Sequence, residues 1–328
     1  MRSSRFGLAW LVTALVIASL PGLVALARAQ AVRLEIHPVQ TITLTTEKFL
    51  TGTREGKPAT ISGELRIPTL GTDRLPTVIL VHGSGGVGGN VARWAQELNQ
   101  SGVAAFILDT FTGRGITNTA TDQSQLDSLA MLYDTYRALD ILAKHPRVDQ
   151  DRIAVMGFSK GGVTALYASL KRFQRMWGTP GVEFAAYLPV YAPCNTKYLE
   201  DEDVSNRPIR LFHSVADNWV PIAPCQAYVE RLRHSGRDVK LFAYSDATHA
   251  FDVFFLKAPL NLPQAQTGRR CQLEERSPGK IVNRESGQPF KLDDPCVERG
   301  TTVAYNQQAT AQATKDVKEF LTAAFHLK

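Results

Sequence analysis

The chain has 328 residues and a formal net charge of +6, and three of its positive charges are arginines within the first 29 residues. The charge that remains is too small and too scattered to point to a nucleic-acid partner. Residues 30–328 suit either one large α/β domain or two ordinary ones.

At the start of the chain, Arg2 and Arg5 precede an apolar run from Leu8 to Leu20, and Ala27-Arg28-Ala29 has the small-x-small form of a cleavage site. These are the three parts of a secretory signal peptide. Export to the periplasm or beyond the cell is expected, with no stable membrane association once residues 1–29 are removed. An uncleaved anchor is the competing reading, because Phe6 to Ala27 approaches the roughly 20 residues that span a bilayer. Pro21, Gly22 and the cleavage site favour removal. No twin-arginine pair is present, which favours export of the unfolded chain.

From Val32 to Pro68, apolar residues alternate in patches (Ile42, Leu44; Ile61, Leu65, Ile67) between Gly and Thr, the pattern of antiparallel strands opening a sheet. The texture then changes to short apolar runs: Val78–Val81, Ala104–Leu108, Ile153–Met156, Ala185–Val190, Ile209–Phe212 and Val239–Ala243. Buried parallel strands read this way. Helix-period segments alternate with them over Asn90–Gln100, Ser124–Lys144, Gly161–Phe173, Ala223–His234 and Ala309–Phe325. In the second, Leu126, Leu129, Leu132 and Tyr136 predict one apolar stripe against the sheet. The expected architecture is a doubly wound, mostly parallel α/β sheet with antiparallel strands at its start. No linker or repeat divides it, so a single domain is expected over 30–328. The stretch from Leu256 to Arg299, rich in Pro, Gly, Gln and charge, reads as an irregular surface insertion in the last strand-to-helix connection.

All four cysteines lie beyond the leader, and an even count in an oxidising compartment predicts two disulfides. Of the three connectivities, Cys194–Cys225 with Cys271–Cys296 closes two modest loops and is preferred. Buried free thiols are the alternative.

Ser159 follows a strand and precedes a helix in Gly157-Phe158-Ser159-Lys160-Gly161-Gly162. A nucleophile on a sharp strand-to-helix turn takes a strained backbone, and small neighbours let strand and helix approach. A serine needs a base. Of seven histidines, His249 lies in a loop just past a buried strand, at the carboxyl-end edge where Ser159 should emerge. Asp217, in the loop after the preceding strand, is the expected acid, and Asp246 is a weaker rival on the histidine's own loop. The order Ser159, Asp217, His249 is the one α/β-hydrolases use. Backbone N–H groups of Lys160 and of Ser84, in His82-Gly83-Ser84-Gly85-Gly86, are the expected oxyanion donors. No metal site is assigned.

Gly83-Ser84-Gly85-Gly86-Val87-Gly88 also satisfies a dinucleotide-binding fingerprint, with Asp109 as a ribose-binding acid. That alternative is an oxidoreductase, and a catalytically silent binding module on the same fold is another. Strand-like segments preceding the motif, the order of the three site residues and export all weigh against nicotinamide chemistry.

With these residues in hand, the chain resembles the dienelactone hydrolase family of α/β-hydrolases from about Thr77 to Phe251 plus the last helix. The motifs are Val81-His82-Gly83, Asp109-Thr110-Phe111-Thr112-Gly113-Arg114-Gly115, Tyr133-Asp134-Thr135-Tyr136-Arg137-Ala138-Leu139, the run around Ser159 and Ala247-Thr248-His249-Ala250-Phe251. The resemblance implies hydrolysis of a small ester or lactone by a nucleophile, Asp and His, with no cofactor. The founding members carry cysteine where this chain has Ser159, are cytoplasmic and lack the insertion. Dienelactone itself is therefore not the expected substrate. Arg114, in a loop after the second parallel strand, is a candidate to hold a substrate carboxylate, and Trp219 a candidate to line an acyl pocket.

Overall fold

The structure, a computed structural model, describes residues 33–327, so the expected leader lies outside the described residues. Strands β1 (Arg33–Thr43) and β2 (Lys57–Ile67) pair antiparallel along their whole length, with the short helix α1 (Thr46–Thr51) between them. Ile61, Leu65 and Ile67 turn to the core, at the alternation the sequence carries.

The chain then winds through β3 (Leu75–Val81), α2 (Gly89–Gln100), β4 (Ala104–Asp109), α3 (Ser128–Ala143), β5 (Val148–Phe158), α4 (Lys160–Tyr167), α5 (Lys171–Trp177) and β6 (Ala186–Val190). It continues through a two-residue strand β7 (Thr196–Lys197), β8 (Ile209–Ser214), α6 (Ala223–His234) and β9 (Val239–Tyr244). Next come β10 (Leu260–Thr267), β11 (Leu273–Ser277), β12 (Lys280–Asn283), β13 (Glu298–Val303) and α7 (Gln307–Phe325).

Eight strands form the main sheet in the order β1-β2-β4-β3-β5-β6-β8-β9, parallel at every contact from β4 to β9. Successive residues of β3 enter opposite cores. Val78 and Leu80 join α2 and α7 on one face, while Ile79 and Val81 join α3 and α6 on the other. Each fully buried aliphatic side chain there contributes roughly 1.5–3 kcal/mol. This is the doubly wound, mostly parallel α/β fold.

Three local expectations are corrected. Helix α3 buries far more than one stripe, because α1 and α4 pack against it in addition to β1 and β5. It also starts at Ser128 rather than Ser124, since the Asp127 carboxylate accepts the Thr46 N–H and Gln123–Gln125 form a separate 3-10 turn. The single helix expected over 161–173 breaks at 168–170, where Leu170 bridges to Val204 and the Ser169 carbonyl accepts the Ser205 N–H.

The segment from 256 to 299 is not irregular. Strands β10 and β13 form an antiparallel ribbon, and β11 joins β12 and β7 in a three-stranded sheet. The sequence hides these strands because Leu273-Glu274-Glu275-Arg276-Ser277 has neither an apolar run nor a clean alternation. Cys271 is bonded to Cys296 and Cys194 to Cys225. No helix among the described residues is long and apolar enough to cross a membrane.

Candidate active site

Ser159 is the one residue between β5 and α4, and it holds φ 53° and ψ −112°, a strained conformation for a residue with a Cβ. The glycines around it are required by contact. A Cβ on Gly157 would lie 2.0 Å from the Gly161 carbonyl oxygen, and one on Gly161 would lie 2.3 Å from that of Val81. The turn therefore packs strand on helix at a distance that only glycine permits.

At the same sheet edge the loops after β8 and β9 bring Asp217 and His249 to Ser159. His249 Nε2 lies 2.9 Å from Ser159 Oγ, and His249 Nδ1 lies 2.8 Å from Asp217 Oδ2. An ionised carboxylate only accepts, so Nδ1 carries the imidazole proton and the Nε2 lone pair faces the serine hydroxyl. Burial would raise the Asp217 carboxyl, but the charge that His249 takes on when protonated and its hydrogen bond, with His213 and the Val220 N–H, hold it below the ordinary range. Its Oδ1 also accepts from the N–H groups of Trp219 and Val220, which fixes its orientation. Asp246 is exposed at a left-handed turn position, and His249 Nδ1 is already committed to Asp217.

Two aromatic rings pack against the imidazole. Tyr191 packs against it edge-on with ring centroids 4.7 Å apart, and Trp219 covers it at 5.0 Å. The Tyr191 hydroxyl donates to Asp252 Oδ1, and Trp94 Nε1 and Asn90 Nδ2 donate to Oδ2 of the same carboxylate. Asp252 is fully buried, which pushes its carboxyl up. Sequence reasoning missed this support, although an aspartate inside the apolar run after His249 was a usable signal.

The loop after β3 closes over the serine: a Cβ on Gly83 would lie 3.3 Å from Ser159 Cβ. His82 anchors that loop, its Nδ1 donating to the Gly83 carbonyl and its Nε2 accepting from the Thr110 N–H. Ser84 and Lys160 thus flank Ser159, and neither backbone N–H has a protein acceptor among the described residues. The Lys160 side chain, which the sequence reading left aside, is buried beside them. Its Nζ donates to the carbonyl and Oε1 of Gln123, and burial pushes the ammonium down to about 8.

Arg114 is a correction. Its guanidinium makes a bidentate pair with buried Asp134 (2.7 and 2.9 Å) and donates to Thr43 and Thr110, so no donor pair is left for a substrate carboxylate. Trp219 does line the cavity beside Ser159, which measures about 840 Å³. Thr45–Glu47 and the 123–129 stretch form one side of this cavity, and residues of β10 to β12 with Pro289–Leu292 form another. Asp109, the candidate ribose acid, caps the following turn by accepting the Phe111 and Thr112 N–H groups.

One cluster of metal-ligand type occurs among the described residues, where His37 Nε2 and His145 Nε2 both approach Glu35 Oε2. His145 Nδ1 accepts the Arg147 N–H, so its Nε2 carries a proton and donates to the carboxylate. The cluster ties the start of β1 to the turn before β5.

The dienelactone hydrolase family model matches residues 61–258. A probable 2-oxo-3-(5-oxofuran-2-ylidene)propanoate lactonase of Bradyrhizobium sp. is 27% identical over 211 residues, which is 60% of this chain and 83% of the relative. A dienelactone hydrolase-like promiscuous phosphotriesterase from metagenomic libraries superposes with a TM-score of 0.56 at 16% identity, over 89% of this chain and 98% of its own. An α/β hydrolase enzyme from a deep-sea metagenome library superposes at 0.53 with 14% identity, over 90% and 99%. These two likenesses carry the fold, and the family match does not favour the nicotinamide reading. Matched over more than half its length, this chain belongs to the dienelactone hydrolase family and is a carboxylic ester hydrolase.

Proposed function

We propose that the protein is a serine hydrolase that cleaves a small ester or lactone through an acyl-enzyme on Ser159, His249 and Asp217. The observation that carries the reading is the hydrogen-bonded line from Ser159 Oγ through His249 to Asp217, at 2.9 and 2.8 Å. Ser159 Oγ attacks the carbonyl carbon while its proton passes to His249 Nε2. The oxyanion accepts from the N–H groups of Ser84 and Lys160. The imidazolium, stabilised by Asp217, then protonates the leaving alkoxide as its bond to carbon breaks. Water then attacks the acyl-enzyme carbonyl and gives its proton to His249, which returns it to Ser159 Oγ as the acyl–Oγ bond breaks and the carboxylic acid leaves. With a lactone the first step opens the ring, so the new hydroxyl stays attached to the acyl group and leaves with it as a single hydroxy acid in the second step.

A cavity of about 840 Å³ fits a substrate larger than a simple lactone ring. The lactone named for the Bradyrhizobium relative supports a cyclic ester as one substrate class. Residues 1–29 act in this reading as an export leader, and 30–328 as one domain. Two disulfides suit an oxidising compartment.

Ser159→Ala should abolish hydrolysis of short p-nitrophenyl esters and labelling by a fluorophosphonate probe. Labelling that persists in the variant removes Ser159 from the mechanism.

A further inference from the structure

Gln123 touches both proposed oxyanion residues and the inserted ribbon at once. Its Nε2 donates to Ser84 Oγ at 3.0 Å, and its Oε1 accepts from Lys160 Nζ at 2.9 Å. Its backbone N–H donates to Oε1 of Gln266, on β10, at 2.9 Å. The loop that carries Gln123 is fastened on each side: the Thr119 N–H donates to the Ser84 carbonyl, and the Gln266 N–H to the Ala120 carbonyl. Gln266 stands where the β10–β13 register shifts, the kind of irregularity that re-aims a side chain. Its own carbonyl accepts from Trp219 Nε1, beside His249.

The two oxyanion donors belong to different elements, Ser84 to the loop after β3 and Lys160 to the first turn of α4. No direct hydrogen bond joins these two residues among those described, and Gln123 bridges them. We infer that Gln123 is a positioning residue that sets the spacing of the Ser84 and Lys160 N–H groups, and that the insertion, through Gln266, is part of this alignment. The inference rests on the proposed oxyanion roles of those two residues. It makes the inserted strands a fixed support for the reaction centre. A donor displaced by about 1 Å costs roughly 10²-fold in rate, whereas ground-state binding of the ester depends on it little.

The test is steady-state hydrolysis of p-nitrophenyl butyrate by the full chain. Gln123→Ala should lower kcat roughly 10- to 100-fold with KM within about twofold. Gln266→Leu, which changes no residue at the reaction centre, should lower kcat several-fold in the same way. Gln123→Glu keeps acceptors for Lys160 Nζ and the Ser84 hydroxyl, and should recover most of the loss. A Gln123→Ala enzyme with kcat within twofold of the parent, a loss carried by KM alone, or a Gln123→Glu enzyme as slow as Gln123→Ala would overturn the inference. If Gln123→Ala does not fold, Gln266→Leu decides it by the same split. Failure of the serine reading is separate: it appears as persistent fluorophosphonate labelling of Ser159→Ala, whatever Gln123 does.

Discussion

The central strands β3, β5 and β6 bury nearly every apolar side chain between two layers of helices, whereas the β10–β13 segment has little apolar material to bury. Its own apolar cluster is Cys271, Leu273 and Cys296, with Ile281, Phe290 and Val297 packed against it. Polar links attach it instead. Arg172 on α5 forms a bidentate pair with buried Glu275 on β11, and Glu275 also accepts the Leu199 and Gly279 N–H groups. Arg269 donates to the carbonyls of Asn218 and Gly300, and Asn195 donates to those of Gly268 and Cys271. The cavity is lined by residues that follow β3, β5 and β6 (Ser84, Ser159 and Pro193) and by residues of the β10–β13 segment. Apolar burial is non-directional and tolerant. A polar scaffold is directional, and losing one partner strands the other in a dry site.

Four changes separate the two kinds of support. On the sheet side, Asp217→Asn should keep an acceptor for the Trp219 and Val220 N–H groups but lose the carboxylate that fixes the His249 tautomer. The expected fall in kcat is roughly 10⁴-fold, with a melting temperature near the parent's, measured by ester hydrolysis and calorimetry. On the β10–β13 side, Arg172→Met leaves the Glu275 carboxylate buried without its cation. The expected loss is roughly 3–5 kcal/mol in denaturant unfolding, with proteolytic cleavage first appearing within 256–299. Equal resistance to protease would place the support of that segment elsewhere.

Replacing Cys271 and Cys296 together by serine opens a loop with a sequence separation of 25, for an expected cost of roughly 3 kcal/mol on the chain-entropy account. An unchanged unfolding midpoint would assign the segment's order to its polar links alone. The smallest effect concerns pH. Burial holds His213, at the end of β8, below its ordinary pKa, so the native imidazole stays neutral while the unfolded chain takes up a proton. Stability should therefore fall as pH drops through about 6.5 and keep falling until the native imidazole also protonates. His213→Asn, which retains a donor toward the Ser214 carbonyl, should flatten that slope by roughly 1 kcal/mol per pH unit.

Strand placement and the approach of Ser159, Asp217 and His249 were legible because their signals are local or ordinal. An apolar run of strand length marks β3 wherever it sits, and a serine among glycines marks a tight turn. Gln123 and Gln266 carried no such mark: a glutamine in a polar stretch looks the same whether it faces water or bridges two loops. Arg114 shows the reverse error. A guanidinium in the right loop suggested a ligand site, but Asp134 on α3 reaches it across twenty residues of sequence and takes its donors.

By itself the sequence determined the alternation of strands and helices, the antiparallel opening, the site residues brought to one sheet edge and the even set of cysteines. Each follows from residue type and order, which bias the backbone before any long-range contact forms. Tertiary structure alone decided that α3 is buried on more than one side, that 256–299 folds into strands, and that Tyr191 and Gln123 lie at the site. Those outcomes depend on which polar group finds which partner across the chain. Hydrogen bonds and ion pairs are short-ranged and directional, so only the assembled fold selects among the many pairings that the sequence allows.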